Sequence, residues 1–245
     1  MLVVRATLLL ATVSFVTGLA QPAFAQPLDL PSSSSPFFGW DDGETGSISA
    51  HWLQFAGGAP VGGFSPPIPD QGPDLASFGS GANSGLTSLT PSAFVTGGGL
   101  GGNIYSFASA TSFAIGLDAS DLAGPFTRVV AQFETSGNLL DLDSVLLNGT
   151  AASVSGVTSL NAGSSAFGGQ DATFMAIWDL AGIGTVADEI TFSSAVSSMS
   201  LESVRIDGFS QSSAFVTPTA IPEPSSLACL AIASVCGGLL RRRRR

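Results

Sequence analysis

The sequence predicts an all-β fold, a β-sandwich bracketed by an apolar segment at each end. Three observations carry this. Of 245 residues only 11% are charged and 17 are Phe; disordered chains are poor in aromatics and richer in charge, so this chain has the material for a packed core. Gly (30) and Pro (14) punctuate it, with no long helical periodicity between them. What remains are short apolar runs separated by turn residues, at the spacing of all-β domains.

Taken in order, the candidate strands are Ser47–Phe55, Ala93–Thr96, Asn103–Phe107, Ser112–Leu117, Thr127–Glu134, Asp143–Leu147, Thr173–Leu180, Ile190–Ser193 and Met199–Ile206. Gly57 to Gly85 is dense in Gly, Pro and Asp and reads as a long loop. Asn148-Gly149 is a strong hairpin signal, because a type I′ turn needs positive φ at both central residues. Ser136-Gly137, Gly168-Gly169 and Asp207-Gly208 are weaker turn signals of the same kind. Composition marks residues 26–36 (QPLDLPSSSSP) and 211–220 (QSSAFVTPTA) as linkers around a β domain spanning 37–210. That span is large for an immunoglobulin-like sandwich and lacks its Cys…Trp…Cys pattern, so a jelly roll is the expected topology. Two segments rhyme, LDSVLLNG (Leu142–Gly149) and LESVRIDG (Leu201–Gly208), as a duplicated hairpin edge would. The second, continued to Phe209, resembles the closing strand of bacterial jelly-roll domains, some of which bind carbohydrate.

Charge narrows the function classes. The chain has eight Arg and no Lys, and six of the Arg are terminal: Arg5 and Arg241 to Arg245. Arg128 and Arg205 alone face the 17 acidic residues between Asp29 and Asp207. A body so acidic repels nucleic acid, which binds through Lys and Arg on phosphates. Divalent cations are the ions it tolerates. Both cysteines, Cys229 and Cys236, lie in the C-terminal apolar stretch. The body therefore has no disulfide framework and no Cys-based zinc site.

The two ends read as addresses. Arg5 supplies a positive start, Ala6 to Ala20 an apolar run, and Ala23-Phe24-Ala25 an A-x-A cleavage site that leaves Gln26 as the new N-terminus. Residues 1–25 thus have the pattern of a secretory signal peptide, helical while it lasts. At the other end Leu227 to Leu240 is a short apolar helix by composition. At about 1.5 Å per residue it covers about 21 Å, less than the roughly 30 Å hydrocarbon core. Arg241, Arg242, Arg243, Arg244 and Arg245 keep its far end cytoplasmic by the positive-inside rule. Pro222 and Pro224 hold the chain before it extended, since each lacks an N–H and restricts its predecessor. Pro222-Glu223-Pro224, then the short helix, then the Arg cluster resembles the PEP-CTERM sorting signal over residues 221–245. The resemblance implies processing near the motif by exosortase, a multi-spanning membrane enzyme, in bacteria that make exopolysaccharide. The partners expected are signal peptidase, an exosortase-type enzyme, the membrane through the tail before processing, and polysaccharide for the released body. The expected location is the cell surface or beyond.

Catalytic chemistry is sparse. His51 is the sole histidine, so any Ser-His-Asp or Cys-His constellation must use it. Its place in a strand pattern beside Trp52 reads as a packed histidine. Gly97, Gly99 and Gly102 satisfy G-x-G-x-x-G, but a strand pattern follows where the dinucleotide motif needs a helix. Acidic groups recur as Asp41, Asp42 and Glu44; Asp70 and Asp74; Asp141 and Asp143; and Asp188 and Glu189. Such pairs serve glycoside hydrolysis only across a cleft. Calcium is the cation that loop oxygens of this kind suit, though no EF-hand loop occurs. Trp40, Trp52, Trp178 and Tyr105 offer rings for sugar stacking, or simply for the core. The expectation is a non-catalytic surface or matrix protein with no cofactor and no metal site. A carbohydrate-binding module and a carboxylate-based glycoside hydrolase are the alternatives.

Overall fold

The computed structural model describes residues 28–56, 70–74, 76–96, 102–162, 169–181 and 187–221. Twelve strands and one 3-10 turn (Gly79–Asn83) account for its regular structure. The strands are β1 (Ser47–Trp52), β2 (Gly85–Ser88), β3 (Phe94–Val95), β4 (Ile104–Tyr105), β5 (Ala110–Asp118), β6 (Phe126–Gly137), β7 (Leu140–Leu147), β8 (Thr150–Ala151), β9 (Val154–Ala162), β10 (Gln170–Ala181), β11 (Ala187–Ser197) and β12 (Met199–Gln211). The chain is all-β among the described residues, in two antiparallel sheets. Seven strands form the first, ordered β3-β4-β12-β6-β10-β9, with β1 sharing with β4 the second edge of β12. Five form the other, ordered β2-β5-β11-β7-β8. Among the described residues no helix is long and apolar enough to cross a membrane. The signal segment with Ala23, Ala25 and Gln26, the sorting motif Pro222, Glu223 and Pro224, and Arg241 to Arg245 lie outside the described residues.

Alternation explains the layers. In β6, Val129, Ala131 and Phe133 join one large buried cluster that also takes Phe174 and Trp178 from β10, Val204 and Ile206 from β12, and Phe113, Ile115 and Phe192 from the five-stranded sheet. Both sheets thus share one core, and each fully buried aromatic there contributes roughly 1.5–3 kcal/mol. The chain changes sheets at a tight corner. Gly137 (φ 87) ends β6 and Ser198 (φ 67) separates β11 from β12. The Asn138 N–H donates to Ser198 O, and the Ser198 N–H to Ser106 O. A Cβ on Gly137 would sit 2.4 Å from Ser198 O, so only glycine fits.

The residues between those inward positions face the other way and are covered as well. Val130, Met175, Ile177 and Phe209 form a second buried cluster with Phe38, Trp40 and Ile221. The cover comes from the two segments that composition reads as linkers, together with residues 37–44. Leu28 and Ile221 are buried, the Asp29 N–H donates to Gln132 Oε1 (3.0 Å), and Gln132 Nε2 donates back to Asp29 O (2.8 Å). Trp40 stacks on Phe209 with ring centroids 5.4 Å apart.

All nine sequence-predicted strands coincide with observed ones, and Asn148 (φ 50) and Gly149 (φ 74) make the expected turn between β7 and β8. Three strands were not foreseen: β2, β8 and β9. Two expectations need correction. Asp207-Gly208 is no turn but lies deep within β12. A Cβ at Gly208 would approach Leu122 Cδ1 to 2.8 Å and Ile48 Cγ1 to 3.0 Å, so the glycine admits its neighbours rather than bending the chain. The rhyming segments are not a duplication either. Leu142–Gly149 belongs to β7 and its hairpin in the five-stranded sheet, whereas Leu201–Gly208 lies inside β12 of the seven-stranded one.

If the terminal segments are structural, Trp40→Ala costs about 3–5 kcal/mol in urea unfolding, as large as a core truncation such as Phe174→Ala. A loss below about 1 kcal/mol would show them merely draped over the sheet.

Candidate functional site

Charged side chains converge on the outer face of the seven-stranded sheet. Register aligns them in rows across β1, β12, β6 and β10. One row is Ser47, Phe209, Arg128 and Asp179; the next is Ser49, Asp207, Val130 and Ile177. Then come His51, Arg205, Gln132 and Met175, followed by Ser203, Glu134 and Thr173.

Both arginines of the body are in this face, and both are buried. Arg128 forks onto Asp179, with Nε to Oδ1 at 2.6 Å and Nη2 to Oδ2 at 2.9 Å. It also donates to Phe37 O (3.2 Å) and Val216 O (3.0 Å), and lies 4.7 Å from the Phe215 ring centroid. Thr217 Oγ1 donates to the same Asp179 carboxylate (2.6 Å). Burial pushes the Asp179 carboxyl up, but Arg128 and Thr217 together hold it below its ordinary value. Arg205 forks onto Asp207, two residues on along β12, at 2.8 and 3.0 Å, and reaches Asp42 at 3.5 Å. Asp207 is wholly inaccessible, and burial raises its carboxyl to about 6 in spite of Arg205.

His51 stands across from Arg205. Burial first, then the Arg205 charge, depresses its pKa, so the imidazole is neutral at pH 7. Its backbone is held by the Ser77 hydroxyl, which accepts the His51 N–H (2.9 Å), and by the Asp74 N–H, which donates to His51 O (2.7 Å). Nε2 is buried and makes no hydrogen bond. Ser77 and Asp74 are therefore near His51 in the chain's path but engage its backbone, and no nucleophile–base bond forms. The expectation of a packed strand histidine matches this geometry.

Further along the face Glu134 accepts a hydrogen bond from Ser203 Oγ (2.9 Å), and Glu202 accepts one from Asn103 Nδ2 (3.2 Å). Burial raises Glu134 to about 7, with Glu202 and Asp171 adding repulsion, and burial raises Glu202 as well. Composition gave no sign of this pair. Alternation signals Glu134, which shares the parity of Arg128 and Gln132 in β6, but not Glu202, which lies at the register shift between Leu201 and Ser203.

The acidic pairs found by sequence are dispersed. Asp41 accepts the Ser33 N–H (2.9 Å) and Glu44 the Asp41 N–H (3.2 Å); Asp70 accepts from Thr87 Oγ1 (2.7 Å); Asp74 caps the Leu53 N–H. Asp141 accepts the Asp143 N–H (3.1 Å), and Asp188 takes Asn148 Nδ2 (2.6 Å). They close turns and strand ends. Among the described residues no three His, Cys, Asp or Glu side chains are grouped to hold a metal ion. Trp40, Trp52 and Trp178 are at most 1% exposed and Tyr105 is 7% exposed, so the rings singled out for sugar stacking are interior. Among the described residues the exposed ring is Phe107 (59%), edge-on to Tyr105 at 4.5 Å and stacked with Phe94 at 5.7 Å. Gly102, the described member of the glycine-rich run, bridges to Phe55, and strand β4 follows it.

No protein-family model, no curated protein and no solved structure matches this chain.

Two predictions test the charged face. Arg205→Met strands the Asp207 carboxyl in a dry site and costs about 3–5 kcal/mol; adding Asp207→Leu recovers most of that, because the pair rather than either charge is what the site accommodates. Equal losses in the single and double variants would contradict it. Glu134 binds its proton more tightly folded than unfolded, so its contribution is complete below about pH 4.5 and is lost as pH rises through about 7. Glu134→Gln, which keeps the neutral form, gains roughly 1–3 kcal/mol over the parent at pH 8 and little at pH 4.5. A difference independent of pH in urea titrations would contradict this assignment.

Proposed function

We propose that this chain is an exported bacterial cell-surface or matrix protein, sorted by its PEP-CTERM tail, with a non-catalytic body. The body is a jelly-roll-like β-sandwich whose chain passes repeatedly from one sheet to the other. The observation that carries the reading is the order of motifs: Pro222-Glu223-Pro224, a short apolar run, and Arg241 to Arg245, opposite an A-x-A signal segment at the other end.

Several features of the body support it. It is free of cysteine, so its fold does not depend on disulfides that an oxidising compartment would form. Its two cations are both buried against aspartates, which leaves an anionic surface suited to remaining apart from acidic polymers and lipid headgroups. Among the described residues, Nε2 of the single histidine makes no hydrogen bond. The segment leading to the tail is docked as far as Ile221, one residue before the motif. A membrane enzyme working at the motif therefore acts just beyond the point where the chain is held on the folded body.

Mass spectrometry of the protein recovered from its native host tests the reading. The account expects an N-terminus at Gln26 and a C-terminus near Pro222–Pro224, and Glu223→Ala leaves the unprocessed chain in the membrane fraction. An exported chain that keeps Arg245 would overturn the sorting assignment.

A further inference from the structure

The N-terminal segment crosses the outer face of the seven-stranded sheet in one direction. Phe37 O accepts from Arg128, and Asp29 exchanges two hydrogen bonds with Gln132. Toward its start the chain therefore climbs β6 from Arg128 to Gln132. The next outward position on β6 is Glu134. Leu28, the first described residue, is buried just before Asp29.

Glu134 is where a cation would count most. It is 8% exposed and accepts a hydrogen bond from Ser203 Oγ. Glu202 and Asp171 repel its charge, and Asp171 repels that of Glu202 too. Both arginines of the body are committed to aspartates: Arg128 to Asp179, Arg205 to Asp207 with Asp42 beside it. His51, across from Arg205, is held neutral by burial and by that charge. The chain contains no lysine.

We propose, resting on the export route above, that signal cleavage supplies this cation: the new α-ammonium of Gln26 docks on the carboxylates of Glu134 and Glu202 and fastens the N-terminal segment to the sheet. Connectivity selects the occupant. Gln26 lies three residues before Asp29, and three extended residues span at most roughly 10 Å. Successive outward positions of a strand are roughly 6.7 Å apart, so the step from Gln132 to Glu134 is within that reach. Pro27 favours extended backbone at Gln26, which makes the reach available. Charge agrees with connectivity. In the uncleaved chain Gln26 N is a neutral amide. Hydrolysis of the Ala25–Gln26 bond consumes one water; Ala25 keeps a carboxylate, and the Gln26 amine takes up the proton released. The body thereby gains a cation beside its two arginines, next to the acids that neither arginine serves. An ammonium there favours the ionised carboxylates. The gain that Glu134→Gln brings at pH 8 in the uncleaved chain therefore shrinks after cleavage.

The test uses residues 26–245 in mild detergent, with Gln26 set free as the first residue by cutting off a fusion partner. Without lysine, Gln26 carries the sole amine of that chain. Reductive methylation with isotope-labelled formaldehyde keeps its charge and gives one NMR signal, titrated in folded and in urea-unfolded protein. The folded amine titrates about one pH unit or more above the unfolded one. Glu134→Gln with Glu202→Gln removes that difference, whereas Asp143→Asn, on β7 of the other sheet, leaves it. Acetylating the amine lowers the urea midpoint of the parent at pH 7 but not that of the double variant. A folded amine that titrates with the unfolded one, an elevation that survives the double substitution, or exported protein whose Gln26 has closed to pyroglutamate overturns the proposal. Cutting elsewhere in the cell sinks the export route and this docking together; an ordinary titration with Gln26 first sinks the docking alone.

Discussion

The Arg128–Asp179 pair ties the molecule's ends to its middle. The guanidinium has five donors in a fixed plane. Two fork onto the Asp179 carboxylate across from it on β10. Two more reach Phe37 O in the N-terminal segment and Val216 O in the C-terminal one. A buried charge of this kind is tolerable only when it is paired and hydrogen-bonded. Arg128 therefore requires both segments to be in place, and they in turn cover the apolar patch of Val130, Met175, Ile177 and Phe209. Without them the outer face of the central strands would present hydrophobic surface of a size that marks interfaces or aggregation.

This arrangement also settles the electrostatics. A body with two cations and many acids has few ways to neutralise a buried carboxylate. Both cations go to aspartates on the same sheet face, one pair within β12 and one between β6 and β10. Most of the remaining acids stay near solvent, closing turns and strand ends; Asp188 is buried and takes a hydrogen bond from Asn148 Nδ2, and burial drives Glu134 and Glu202 toward the neutral form.

The sheets were largely legible because the strands carry β-branched and aromatic runs, as in RVVAQF of β6 and TFMAIW of β10. The Asn148-Gly149 turn was legible because few dipeptides tolerate positive φ twice. Strand β9, VSGVTSLNA, was not: small polar residues alternate weakly, and its place is decided by hydrogen bonding to β10 rather than by its own side chains. Asp207-Gly208 misled because a turn dipeptide and a close approach of backbone to Leu122 and Ile48 use the same glycine. Residues 28–36 and 211–220 have loop composition, and nothing local announces that Asp29 O and Val216 O will meet partners about 100 residues away. The face carrying Arg128, Arg205, Asp207 and Glu134 was visible residue by residue but not as a face, since its assembly depends on register.

Hydrogen exchange on the parent and on Arg128→Ala measures the dependence of the ends on this node most directly. The account predicts that peptides covering residues 28–44 and 212–221 are protected together in the parent and lose protection together in the variant, while β5 and β11 of the five-stranded sheet keep theirs. Segments that exchange freely in the parent, or that stay protected once the guanidinium is gone, would contradict it.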